Sequence, residues 1–227
     1  MFFNLILASP MMAIAWVAAI MLSLTVHEFS HALVGKWRGD RTAEHEGRLT
    51  LNPLAHVDPL GFLSLLLVGF GWAKPVPYNP YNLRNPAWDG VAIALAGPFS
   101  NLLLASMSAF ALRFLVGSQI ITQLNLLVVF LFFLILLNLG LAFFNFIPVH
   151  PLDGSKLFFA LTDHPKYARL RFAVAHYGPQ LLMALVVISL VTPFNVFFFV
   201  SAPTYAACDF LLSDHCQGFL GAVLGAI

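Results

Sequence analysis

Residues 24–33 read LTVHEFSHAL, and they set two histidines and a glutamate inside an apolar run. That run extends from about Met11 to Val34, long enough for a helix that crosses a bilayer, which takes about 20 apolar residues. Ionisable side chains at such a depth are costly to bury, and by default they mark a functional site. His27 and His31 are four residues apart, so on a helix both imidazoles share one face and reach a single metal ion. Glu28 stands beside the first of them, placed to take a proton from an attacking water and return it to a leaving amine. The plainer reading is a set of polar groups hydrogen-bonded between packed helices.

The rest of the chain supports a membrane setting. Of its 227 residues 60% are hydrophobic and only 9% charged, where soluble domains carry about a quarter charged residues. The fold expected is an all-α integral membrane protein, one polytopic domain over 1–227. Four spans are expected, at about 11–34, 90–115, 121–147 and 179–200. The apolar run Leu60–Phe70 is too short to cross and is bounded by Pro59 and the Gly69–Gly71 pair, so it reads as re-entrant or interfacial. The 201–227 tail is apolar but interrupted by Pro203, Asp209 and Asp214, as in a peripheral helix or a partial fifth span. A net charge of +1 leaves no basic face for nucleic acid. The Met1–Met12 stretch lacks a basic flank and is not read as a cleaved signal peptide.

Lys36, Arg38, Arg41, Arg48, Lys74 and Arg84 lie between spans one and two, and Lys156, Lys166, Arg169 and Arg171 between spans three and four. The remaining short loop holds only Arg113. Cytoplasmic loops are the basic ones, so both termini are expected outside. Cys208 and Cys216 then also lie outside, where a disulfide is permitted; two cysteines make no disulfide framework and no zinc knuckle.

Catalytic zinc takes three protein ligands and leaves a fourth position open, so two histidines are not enough. His31 lies close to Lys36, and a third ligand must come from the same membrane face. The third span leaves on that face through FFNFIPVHPLDGSKL, residues 143–157. Pro148 and Pro151 prevent a regular helix there, Gly154 gives room to turn, and Asp153 is placed to complete the ligand set. An alternative role for Asp153 is as N-cap of a helix from Gly154 to Leu161.

The HExxH motif together with Asn145-Phe-Ile-Pro148-Val-His-Pro151-Leu-Asp153-Gly154 resembles the site-2 proteases, intramembrane zinc metalloproteases. GRLTLNPLAHVDPLG (47–61), GFGWAKPVPYNP (69–80) and LAGPFSN (95–101) are similar to the compact prokaryotic branch, which lacks PDZ and CBS domains. The resemblance implies one zinc per chain held by His27, His31 and Asp153, with Glu28 as general base and acid. It also implies a hydrogen bond from Asn145 to the oxyanion of the tetrahedral intermediate; read alone, a membrane asparagine also serves as helix–helix glue. It further implies a membrane-associated β-hairpin in the Gly47–Pro80 region, where an exposed edge can hold an unwound substrate by β-augmentation. The expected partners are a transmembrane substrate and the bilayer of a prokaryotic plasma membrane, with the site near the cytoplasmic face.

Other polar residues have simpler readings. His150 is a partner behind the ligands or an alternative ligand. His45, His56, His164 and His176 are ordinary loop residues. Gly97 and Asn101 allow close helix packing through a small residue and a hydrogen bond. Two rival functions exist for the whole: a membrane zinc transporter, which would commonly show repeated halves, and an inactive membrane-binding scaffold, which would have no use for Glu28. No repeat is visible.

Overall fold

The computed structural model describes residues 9–121 and 125–225. Nine helices are described: α1 (Pro10–Arg38), α2 (Thr42–His45), α3 (Pro59–Val68), α4 (Pro86–Gly117), α5 (Leu126–Asn145), α6 (Gly154–Leu161), α7 (Ala168–Val191), α8 (Phe198–Leu212) and α9 (Cys216–Gly225). Four of them, α1, α4, α5 and α7 with its preceding turn, are long and apolar enough to cross a membrane. Residues 122–124, within the third span as expected from sequence, lie outside the described residues.

Proline and glycine punctuate α1. Pro10 opens it, where a missing N–H costs nothing, and Gly39 closes it in the left-handed conformation at φ 109°. Lys36 and Arg38 occupy the last turn, complementing the negative end of the helix dipole. At 1.5 Å per residue, His27 lies roughly 26 Å along the helix from Pro10, near the far edge of a bilayer core about 30 Å thick.

The central helix is α5. Val128, Phe132, Ile135, Asn138 and Ala142 repeat at three- and four-residue steps and are fully buried. One side of α5 packs Val129 and Phe133 against Ala15, Trp16 and Ala19 of α1. The other packs Phe132, Ile135 and Leu139 against Ala105 and Ala109 of α4 and Cys208 of α8. Small residues on the partners let the helices approach closely, which is how membrane helices associate without a hydrophobic driving force between them.

The fourth span departs from its expected position. It runs from Ala168 to Val191 rather than over 179–200, with Pro179 inside it. The helix ends because Pro193 follows: the residue before a proline is pushed out of the helical region, and Thr192 is extended at φ −122°, ψ 154°. Only Gly178, Leu182 and Val186 of α7 are buried, one stripe facing the protein. The tail forms two helices, α8 and α9, that turn at Ser213 (φ 55°) and are joined by a Cys208–Cys216 disulfide.

α3 is ten residues long, too short to cross. A Cβ on Gly61 would sit 2.2 Å from the Trp72 carbonyl, so only glycine lets α3 lie against the chain that follows it. Among the described residues, β-structure amounts to one antiparallel bridge between Val57 and Ala73. The hairpin expected from the resemblance is reduced there to that bridge and an irregular stretch, Trp72–Asn79.

Candidate metal centre

His27 and His31 lie one turn apart on α1, their rings edge to face with centroids 4.6 Å apart. Asp153 reaches them from the α5–α6 connection. That connection doubles back on itself: a Cβ on Gly154 would sit 2.4 Å from the Phe146 carbonyl, so the glycine permits the return that the two prolines force. Asp153 Oδ2 lies 3.2 Å from His27 Nε2 and 3.4 Å from His31 Nε2. Asp153 occupies the N-cap position of α6, yet its side chain makes no capping hydrogen bond; the N-cap role is not the one the carboxylate takes.

The hydrogen-bond partners show what these atoms can bind. His31 Nδ1 lies 2.7 Å from the Ile93 carbonyl, which only accepts, so Nδ1 carries a proton and Nε2 is the nitrogen left to bind a metal. His27 Nδ1 lies 2.5 Å from Asn101 Oδ1, another acceptor, with the same result. Three ligand atoms, one from each residue, therefore converge within 4.8 Å, and Asp153 Oδ2 is buried without a hydrogen-bond partner. A Cβ on Gly97 would lie 2.5 Å from His31 Nε2 and 2.6 Å from His27 Nε2, so the space in front of the imidazoles is kept open by a missing side chain. Two imidazole Nε2 atoms, one carboxylate and an approach kept open by Gly97 suit zinc with an open coordination position. The residues fit the ion.

His27, Glu28, His31, Asn145 and Asp153 all line one cavity of about 560 Å³. The Asn145 amide donates to the Leu141 carbonyl at 3.0 Å. His150 supplies no atom to the cluster, nor do His45, His56, His164 or His176. Burial, and then the charge of Lys156, hold the His150 imidazole below its ordinary range. His56 is buried rather than a free loop side chain; its Nε2 lies 2.8 Å from the Thr50 carbonyl.

Along the cavity runs the Trp72–Asn79 segment, a strap that lines it with Trp72, Ala73, Pro75, Val76 and Tyr78. The Val76 N–H donates to Glu28 Oε2 at 3.1 Å. One end of the segment is held by Arg48, which donates to the Lys74 and Pro75 carbonyls, and by the Lys74 N–H on the His56 carbonyl. The other end is held by Asp40, whose carboxylate accepts from the Asn79 N–H, the Asn82 amide and both donors of Thr42. Burial pushes the Asp40 carboxyl up, but these hydrogen bonds outweigh it and hold the group below the usual carboxylate range. Lys156 Nζ stands 5.3 Å from the centroid of the Tyr78 ring, a cation–π contact between the strap and α6.

The residues behind the two imidazoles carry little signal in the sequence. Asn101 ties helices, as expected of a membrane asparagine, and its acceptor oxygen is spent on His27. Asn138 and Ser23 gave no signal of their own.

With this geometry, the family model described as "Peptidase family M50" matches residues 15–189. The chain belongs to peptidase family M50, the site-2 protease family. It is 42% identical over 144 residues to "Putative zinc metalloprotease YwhC" of Bacillus subtilis (strain 168), covering 62% of this chain and 66% of that protein. It is 37% identical over 95 residues to "Putative zinc metalloprotease Rip2" of Mycolicibacterium smegmatis, covering 39% of this chain and 36% of that one. Rip2 of Mycobacterium tuberculosis (strain H37Rv) is 34% identical over 214 residues, 92% of this chain and 78% of that one. No solved structure matches. Within the M50 family, the span of residues 15–189 takes in α1 through most of α7 and so both motifs of the site.

Proposed function

We propose that this M50 chain is an intramembrane zinc metalloprotease that hydrolyses peptide bonds in or near transmembrane segments of membrane proteins. The observation that carries the reading is the convergence of three ligand atoms, on His27, His31 and Asp153, in a cavity that also holds Glu28 and Asn145. One zinc per chain is held by those three residues; bound there, it supplies the Lewis acidity that makes water a nucleophile at neutral pH.

The chain's own residues do the rest. Glu28 takes the proton of the attacking water and hands it to the leaving amine, so one carboxylate serves both halves of the reaction. Its Oε2 is oriented by the Val76 amide, which keeps the base in the cavity and near its task. Asn145 turns its amide from the Leu141 carbonyl toward the negative charge that develops on the scissile carbonyl oxygen. A substrate helix has its own carbonyls hydrogen-bonded, so it unwinds before attack and lies along the Trp72–Asn79 segment. The site lies near the cytoplasmic face of a prokaryotic plasma membrane, where the basic loops lie, and its substrates are membrane proteins cut in regulated intramembrane proteolysis.

The test compares zinc content and cleavage of a model transmembrane substrate in detergent. Glu28→Gln is expected to bind an equimolar amount of zinc and to cut at a rate lower by about three orders of magnitude or more. Asp153→Asn is expected to lose both zinc and cleavage. Normal cleavage by Glu28→Gln removes the assigned base, and unchanged zinc content in Asp153→Asn removes it from the ligand set.

A further inference from the structure

A buried hydrogen-bonded line leads away from His27, and the reading above uses only its first link. Asn101 Oδ1 meets His27 Nδ1; Asn101 Nδ2 donates to Asn138 Oδ1 at 2.6 Å. Asn138 Nδ2 donates to Ser23 Oγ and to the Leu134 carbonyl, both at 2.8 Å. Ser23 Oγ donates to the Ala19 carbonyl at 2.7 Å. Asn101, Asn138 and Ser23 are each 0% exposed, in a part of the molecule where a polar side chain without partners is expensive.

The direction of every link is set from the far end. The Ala19 and Leu134 carbonyls can only accept. Ser23 therefore spends its single hydrogen on Ala19 and keeps lone pairs for a donor. The Asn138 nitrogen must face Ser23 and Leu134, which turns its oxygen to Asn101; a flipped amide would set oxygen against the Leu134 carbonyl and two NH₂ groups against each other. Asn101 must then present its own oxygen to His27, and only a protonated Nδ1 can meet it. Nε2 is left as the lone pair facing the cavity. Helix glue accounts for a bond between α1, α4 and α5, but it has no need of a one-way polarity that ends on a ligand.

We propose that Asn138 and Ser23 are positioning residues that hold His27 in its Nδ1-protonated, metal-binding tautomer. The proposal rests on the zinc reading of the site. His31 is the internal control, since its Nδ1 is held by a backbone carbonyl and not by the line.

Two readouts test it without activity: ¹⁵N-histidine NMR of the metal-free protein, with His27 assigned by its absence from His27→Gln, and zinc affinity by chelator competition. The wild type is expected to show His27 Nδ1 as the protonated nitrogen. Asn138→Leu is expected to give mixed His27 tautomers, leave His31 unchanged and weaken zinc about 10- to 100-fold. An Asn138→Leu protein that melts lower but keeps the wild-type His27 tautomer and zinc affinity overturns the proposal, leaving Asn138 as packing. Should Asn138→Leu fail to fold, Ser23→Ala removes one hydroxyl and must move both readouts the same way; wild-type values there overturn it equally. A wild type that binds no zinc strikes down the site reading instead, and the tautomer contrast still decides whether the line orients His27.

Discussion

At the residue scale, the position that most sharply separates metal binding from folding is Gly97. Its missing side chain leaves the approach to two imidazoles open, with a hypothetical Cβ only 2.5 Å from His31 Nε2. Gly97→Ala is expected to abolish zinc binding, as read by metal content, while improving the local helix propensity of α4 by about 1 kcal/mol before any clash is counted. A Gly97→Ala protein with full zinc would show that the metal approaches from another side. The convergence of His27, His31 and Asp153 was legible because HExxH has the period of a helix face, and because two prolines and a glycine mark the return of the chain at Asp153. Asn138 was not legible. A lone asparagine in a run of leucine and phenylalanine looks the same whether it bonds a lipid-facing carbonyl or an amide on a helix 37 residues away, and only the assembled bundle distinguishes the two.

At the element scale, the Trp72–Asn79 strap depends on Asp40 and Arg48 more than on any strand pairing. Removing the carboxylate in Asp40→Ala frees the Asn79 and Asn82 donors and leaves Thr42 unpaired, at a cost of about 1.5–3 kcal/mol for bonds to a charged group. Limited proteolysis is expected to cut the variant between α3 and α4 faster than the wild type. The pH dependence has a definite sign. The Asp40 carboxyl titrates lower folded than unfolded, so its stabilisation is present above the unfolded value of about 4 and fades as pH falls through the folded one. Thermal melting in detergent across that acid range should therefore fall more steeply in the wild type than in Asp40→Ala; parallel curves would separate Asp40 from the strap. Sequence located the region but not its form, because a proline-rich stretch held by one arginine and one aspartate carries no alternation of hydrophobic residues to read.

At the scale of the whole molecule, three spans follow from apolar runs alone, and the fourth is displaced from the start expected near Pro179. A proline in the interior is tolerated in membrane helices, and the true stop is Pro193. The start at Ala168 places Arg169 and Arg171 within the first turn, where long cationic side chains reach back to the interface. Four spans with both basic loops on one face predict both termini on the other. Impermeant thiol labelling of cysteines introduced at Ser9 and Ser213, in cells, is expected to modify both from outside; labelling of only one requires an odd number of crossings.

The strap also leaves few main-chain groups free along its length. Pro75 and Pro77 have no N–H, the Lys74 and Pro75 carbonyls belong to Arg48, and the one amide between the prolines belongs to Glu28. The main chain of the strap between Lys74 and Pro77 is thus already committed to Arg48 and Glu28, and the base and the strap share one hydrogen bond.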